Sequence, residues 1–177
     1  SSDLYEMGIR RFVFIYDIFN LDKVNSTRFF NMVKDSGMKI NIFFPNGLRG
    51  DLLTKEYIDL MIEAGTVSIA LALETASKRL QKLIKKNINL GKLRENIEYI
   101  AEKHPQVILE LFAMHGFPTE TEEEALMTLD FIKSIKWLHF TYFNVLKIYP
   151  GSEMEKLALE SGISKDAIER PVQQRIV

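Results

Sequence analysis

The sequence contains no cysteine. Disulfides, zinc–cysteine sites, a thiol nucleophile and any cysteine-ligated iron–sulfur cluster are therefore excluded within these 177 residues. An excess of charge of either sign is also lacking, with 23 basic against 24 acidic residues and a net charge of −1. Such a balance exerts no long-range pull on nucleic acid or anionic lipid, so neither dedicated nucleic-acid binding nor a membrane partner is expected. No apolar run approaches the roughly 18 residues that a membrane span needs. The opening Ser-Ser-Asp-Leu-Tyr-Glu has neither the basic nor the apolar region of a secretory signal, and the expected location is cytoplasmic. No strand-like run is followed by G-x-G-x-x-G or by G-x-x-x-x-G-K-[ST], which removes the usual support for dinucleotide and P-loop sites. The G-x-S-x-G elbow of hydrolases is missing too. With three histidines, and no His/Asp/Glu cluster at ligand spacing, no metal site is predicted.

What remains is the composition of an ordinary globular chain, 46% apolar and 27% charged. Its length predicts one domain over residues 1–177. Five short apolar runs stand out: Phe12–Tyr16, Ile40–Phe44, Val67–Leu73, Val107–Met114 and Phe140–Leu146. Continuous runs of this length are the pattern of strands buried on both faces of a parallel sheet. The second is expected to stop at Pro45-Asn46-Gly47, a turn signal.

Helical patterns separate them. A helix end runs into Gly8. Asn25 or Ser26 can cap a helix that ends at Gly37, and Thr54 can cap one that stops at Gly65. Ser77 can open a short helix through Leu80, Leu83 and Ile84. Leu93, Ile97 and Ile100 lie on one helical face, before Pro105. Thr121-Glu122-Glu123-Glu124 is a capping box. Another helix spans about Glu153 to Ser161, and the tail from Ser164 can form one more, broken at Pro171. This alternation predicts an α/β fold with a mainly parallel sheet, either doubly wound or a barrel sector.

In such sheets, chemistry collects at the carboxyl ends of the strands. Here those ends carry Asp17, Asn46 with Arg49, Glu74, His115 and, within the fifth run, Asn144. Each taken alone reads as a solvated loop residue or a cap, and His115 as a loop donor. Lys85-Lys86 reads most simply as the charged end of a helix. Phe43, Phe44, Phe117, Tyr142 and Tyr149 are expected mostly in the core, with one or two lining a pocket. Together the strand-end residues point to a small-molecule site on one rim.

A series of short motifs then resembles the radical S-adenosylmethionine (radical SAM) enzymes, especially the branch with a cobalamin-binding domain upstream and its magnesium-protoporphyrin ester cyclase and methyltransferase-like members. Phe12–Phe19 resembles a strand ending in D-D-x-F, with Tyr16 at the first Asp. Arg49-Gly50-Asp51-Leu52-Leu53 resembles R-x-D-x-L. Leu60-Met61-Ile62-Glu63-Ala64-Gly65 resembles L-M-x-x-A-G. Ile69–Thr75 is similar to a strand ending in G-x-E-S, with Ala72 at the glycine. Leu80–Asn87 resembles L-x-x-x-x-K-K-[GN]. Gly116–Thr121 is similar to G-[FL]-P-G-E-T, with Thr119 at the second glycine, and Tyr149–Ser152 to Y-P-G-T.

The resemblance implies a partial TIM-type barrel: about five mainly parallel strands in a curved open sheet, with helices outside, as the second to sixth βα units of the family's core. The cluster motif C-x-x-x-C-x-x-C would belong to an absent first unit, so the chain is expected to be part of a larger enzyme. The implied cofactors are S-adenosylmethionine (SAM), a [4Fe–4S] cluster ligated outside this chain, and cobalamin, also outside it. Carried over by position, Asp17 would face the SAM amino group, Glu74 the ribose or amino end and Lys86 the methionine carboxylate. Gly116 would sit near the adenine, and Leu146 to Tyr149, including Ile148, would offer backbone contacts. Asn41, Phe43, Tyr142 and Asn144 would point toward a small-molecule substrate. The implied reactions are methyl transfer or oxidative cyclisation; the alternative is a non-catalytic module that kept the fold. An uncharged Phe12–Tyr16 strand at an uncovered edge is expected to self-associate.

Overall fold

The computed structural model describes residues 2–16 and 18–169. The elements in order are α1 (Ser2–Glu6), β1 (Arg11–Val13), α2 (Lys23–Asp35), β2 (Asn41–Leu48), a 3-10 turn (Gly50–Leu52), α3 (Lys55–Glu63) and β3 (Thr66–Glu74). They continue with α4 (Lys78–Leu83), α5 (Leu90–Lys103), β4 (Ile108–His115), α6 (Glu122–Lys133), β5 (Phe140–Val145), α7 (Glu153–Glu160) and α8 (Lys165–Glu169). None of the described helices is long and apolar enough to cross a membrane.

The five strands form one sheet in the order β1-β2-β3-β4-β5, and every neighbouring pair is parallel. A doubly wound sheet reverses its strand order at a switch point. This one never does, which selects the barrel-sector arrangement. The two end strands do not meet, so the sheet is open.

One face of the sheet carries the helices. Ile42 and Phe44 of β2, Ile69, Leu71 and Leu73 of β3, and Leu109, Leu111 and Ala113 of β4 share a single apolar cluster. With them pack Phe30 and Val33 of α2, Ile58 and Met61 of α3, and Leu93, Ile97 and Ile100 of α5. Strand side chains alternate between faces, so Phe43, Ala70, Ala72, Phe112 and Tyr142 line the opposite face, helix-free among the described residues.

Three expectations need correction. The Phe12–Tyr16 run makes a strand only over Arg11–Val13; Phe14 still donates its N–H to the Phe43 carbonyl at 2.9 Å, but Ile15 and Tyr16 leave the ladder. An edge strand is paired on one side only, and the aromatic contacts of Phe14 with Phe29 at 5.1 Å, Phe19 at 5.2 Å and Phe44 at 5.4 Å hold it instead. The cap of α2 is neither Asn25 nor Ser26 but Asp22, whose carboxylate accepts the Asn25 N–H at 3.0 Å. Pro45 does not stop β2 either. The register jumps from Phe44↔Ile69 to Leu48↔Leu71, so the strand bulges through Pro45-Asn46-Gly47 and resumes pairing. A bulge accommodates a proline that a continuous ladder would reject. Gly47 lies in the bulge at φ +84°, and a Cβ there would come within 3.4 Å of the Phe112 ring.

The caps at Thr54, Ser77 and the Thr121 capping box are as expected. The break at Pro171 lies outside the described residues.

Candidate functional site

β3 ends in an unusual turn. Thr75 donates its N–H to the Leu73 carbonyl at 2.9 Å, with Glu74 between them at φ +62°. An i→i+2 bond closed over a positive φ is the classic γ-turn, a rare and strained form. The register with β4 also shifts between Ala72 and Glu74. The shift skips Leu73, Glu74 pairs with Ala113 as the last residue of the strand, and it stays only 9% exposed.

Facing it is Lys86, whose Nζ lies 3.3 Å from Glu74 Oε1. Lys86 sits between Lys85 at φ +57° and Asn87 at φ +48°, two further left-handed residues in the turn after α4. The simple reading of Lys85-Lys86 as a charged helix end is therefore incomplete. α4 stops at Leu83, and Lys85 pairs instead with Glu153 of α7 at 2.7 Å.

The pair opens onto a cleft of about 390 Å³ lined by Leu83, Ile84, Met114, Phe117, Leu146 and Ser152, among others. Its walls are mainly apolar, and two ion pairs border it, the part-buried Glu74–Lys86 and the exposed Lys85–Glu153. A larger recess of about 560 Å³ lies between α4 and the start of α5, but it includes neither residue of the pair.

The loop after β4 forms one side of the cleft. Glu120 accepts the N–H groups of Gly116 and of Phe117, the latter at 3.2 Å, and so folds the Gly-Phe-Pro loop back over the strand end. Gly116 is at φ +83°, and a Cβ on it would stand 3.5 Å from Val145. Phe117 is buried and Tyr149, 63% exposed, lines a neighbouring recess, but the expectation of a core or pocket position fails at Tyr142, which is 43% exposed.

Behind the cleft runs a buried polar network. Thr75 Oγ1 and Thr128 Oγ1 are 3.1 Å apart, and Ala76 donates its N–H to Thr128 Oγ1. Ser77 donates to Glu124 Oε1 at 2.6 Å, and Arg79 grips both oxygens of the same carboxylate. The Arg79 hydrogen bonds, with those from Ser77 and the Thr121 N–H, outweigh partial burial and hold the Glu124 carboxyl at about 2. Arg79 also donates to the carbonyl and hydroxyl of Thr119, which stands at φ +70°. The family pattern's glycine at that position thus corresponds to a left-handed residue.

The R-x-D segment is structural in this chain. Arg49 holds Asp51 with two bonds of 2.9 and 2.8 Å, and Asn20 takes both backbone groups of Arg49. Burial pushes the Asp51 carboxyl up, but the Arg49 guanidinium and the Asn89 N–H together bring it below its usual value.

The remaining candidates are distributed as follows. Asp17 lies outside the described residues. Ile148 and Tyr149 line a separate recess of about 500 Å³ with residues of α8, which touches the Glu74 cleft through Leu146. Tyr142 stacks against Phe112 at 5.0 Å on the helix-free face, and Asn144 is in register with Met114 of the cleft. Phe43 shares that face. Asn41 does not join them: it begins β2 and is in register with Arg11, on the order of 20 Å along the strand from the rim. Among the described residues no group of three or more His, Asp or Glu side chains could hold a metal, and His115 packs on Phe143.

One residue that joins the two sides of the site escaped the sequence reading. Gln81, buried inside α4, bonds the end of β3 and the loop carrying Lys86 at once. A lone glutamine in a short helix gives no signal of that role.

The family model for the radical SAM superfamily matches residues 3–132. Among curated proteins, the uncharacterized methyltransferase PH0819 of Pyrococcus horikoshii is 26% identical over 159 residues, covering 90% of this chain and 34% of the relative. The tRNA-2-methylthio-N(6)-dimethylallyladenosine synthase of Aquifex aeolicus is 32% identical over 107 residues, 58% of this chain and 24% of its own. The chain therefore spans about a third or less of the length of these relatives. In fold it is similar to the radical S-adenosylmethionine methyltransferase TsrM of Kitasatospora setae, solved with cobalamin and a [4Fe-4S] cluster bound. The TM-score is 0.75 at 16% identity, over 89% of this chain and 31% of that one. The family match runs from α1 into α6 and takes in Glu74, Lys86 and Gly116, so the chain belongs to the radical SAM superfamily.

Proposed function

We propose that the chain is the SAM-binding part of a radical SAM enzyme and that SAM lies in the cleft between Glu74, Lys86 and Phe117. The observation that carries this reading is the Glu74–Lys86 pair at the mouth of an apolar cleft. The amino-acid end of SAM is a zwitterion. Its ammonium complements Glu74 and its carboxylate complements Lys86, so each charge of the resident pair exchanges one partner for another and neither is left unpaired. Phe117, Met114 and Leu146 offer an apolar bed for the adenosine, and a cleft of about 390 Å³ falls within the usual size of ligand sites. Bound SAM supplies a sulfonium carbon activated for transfer or for cleavage. The chain's own residues orient it.

The residues present do not fit an iron–sulfur cluster. The chain has no thiolate, and the described residues offer no other metal-binding group. The cluster of the complete enzyme would have its cysteines outside these 177 residues. Free thiolates call for a reducing compartment, which makes the cytoplasm the proposed setting. Similarity to proteins named as methyltransferases favours methyl transfer over oxidative cyclisation, with cobalamin, where used, held outside this chain.

Calorimetric titration tests the reading. SAM is expected to bind the chain, and Glu74→Gln to weaken it about tenfold. 5′-Methylthioadenosine, which lacks the amino-acid end, should bind wild type and variant equally. A wild-type chain that binds neither compound would leave the reading of a non-catalytic module.

A further inference from the structure

Resting on the reading of the cleft as a SAM site, we infer that Gln81 is the positioning residue that sets Lys86 opposite Glu74. Gln81 is 4% exposed, and both ends of its amide are engaged. Nε2 donates to the carbonyl of Leu73 at 2.8 Å and to that of Thr75 at 2.5 Å, the two residues that flank Glu74 in its strained turn. Oε1 accepts the N–H of Ile88 at 3.1 Å, just beyond the Lys85–Asn87 turn. The backbone carbonyl of Gln81 takes the N–H of Lys86 itself at 3.0 Å and lies 3.4 Å from that of Asn87. One residue therefore holds the segment that presents the carboxylate and the segment that presents the ammonium.

Neither segment is in a conformation it would keep alone. Glu74, Lys85 and Asn87 all stand at positive φ without being glycine, and such residues persist only where surrounding bonds over-determine them. Gln81 supplies those bonds on both sides. Its amide bonds the backbone around Glu74 and Lys86 and not their charged groups, so it acts by fixing their separation. Removing its amide leaves the carbonyls of Leu73 and Thr75 without that donor and frees the 85–88 loop to relax toward ordinary backbone. Lys86, 35% exposed at its side chain, would then swing toward water.

The experiment uses the full chain, with Gln81→Met as the near-isosteric variant and circular dichroism confirming that it folds. Two readouts are taken. The first is trace acetylation of Lys86, quantified by mass spectrometry. Its rate should rise about fivefold in Gln81→Met and by a similar factor in Glu74→Gln, because in the first the ammonium is no longer held against the Glu74 carboxylate and in the second that carboxylate is gone. The second is affinity, with SAM weakened about tenfold and 5′-methylthioadenosine unchanged. The effects of Gln81→Met and Lys86→Met on SAM should not add, since one acts through the other. Gln81→Glu, which sets a buried carboxylate oxygen against the Leu73 and Thr75 carbonyls, should weaken SAM at least as much as Gln81→Met.

Faster Lys86 labelling in Gln81→Met, with no SAM binding even by wild type, would uphold the positioning role and overturn the SAM reading. Wild-type SAM binding, with labelling and affinity both unmoved in Gln81→Met, would overturn the role and spare the reading. Equal loss of both ligands, or failure of both Gln81 variants to fold, would assign Gln81 to stability alone and overturn the inference.

Discussion

Arg79 holds Glu124 through two hydrogen bonds, Nε to Oε1 at 2.9 Å and Nη2 to Oε2 at 2.6 Å, and so joins the start of α4 to the start of α6. The carboxylate is largely buried, at 9% exposed, and accepts from Ser77 and from the Thr121 N–H as well. The junction thereby gathers Ser77, just after β3, with Thr119 and Thr121, just before α6.

Acid should release it in a defined window. The Glu124 carboxyl lies at about 2 in the folded chain, against an ordinary value of 4.5. A carboxyl depressed on folding contributes stability that is complete above the ordinary value and is lost as pH falls toward the folded one. Half-exposure of Arg79 reduces the contribution, to about 2 kcal/mol. Urea unfolding from pH 5 to pH 2 should therefore show a steeper loss in wild type than in Glu124→Gln. Parallel curves would mean that the junction does not couple to protonation.

Thr119 offers a gain. It stands at φ +70°, where a non-glycine residue costs about 1 kcal/mol or more. Thr119→Gly should remove that strain and lose only the exposed Arg79 bond to the hydroxyl, raising stability by about 0.5 kcal/mol. Thr119→Ala keeps the strain and loses the same bond, so it should be less stable than wild type. Denaturant midpoints of the three chains decide the order.

Gly65 should be among the least replaceable glycines. It lies at φ +104°, and a Cβ there would approach the Ile40 carbonyl oxygen to 2.2 Å. That oxygen belongs to backbone leading into β2, and Gly65 itself accepts the Ile42 N–H at 2.8 Å. Gly65→Ala should cost about 3 kcal/mol or more, from left-handed strain and a clash that no rotamer relieves. A drop in midpoint smaller than that of Thr119→Ala would contradict this.

The edge of β1 should make the chain self-associate. β1 pairs only with β2, and Val13, Ile15 and Tyr16 beside it are 59%, 73% and 67% exposed. Described residues put no charge between Phe12 and Tyr16 to resist pairing with a second copy. Light scattering across a dilution series should show a dimer or larger species at micromolar concentration. Val13→Lys should shift it to monomer.

Much of the fold was legible because its causes are local. Apolar runs of strand length marked β2 to β5, and Thr54, Ser77 and Thr121 announced helix starts through side chains that reach only three residues ahead. Gly8, Gly37 and Gly65 marked the sharp turns, since positive φ is cheap only without a Cβ. Glu74 and Lys86 were legible as site candidates through a family pattern. Their pairing was not. The tertiary structure alone decided that Pro45 would sit in a bulge, because β3 continues to offer pairing partners beyond it. It alone set Asn41 at the wrong end of its strand for a rim site. It also put Glu74, Lys85 and Asn87 into left-handed backbone against their own preference, held by a glutamine whose partners lie six to eight residues away on both sides. A side chain's reach across a fold is not written in its neighbours, so the site's charges could be listed from the sequence while the geometry that joins them could not.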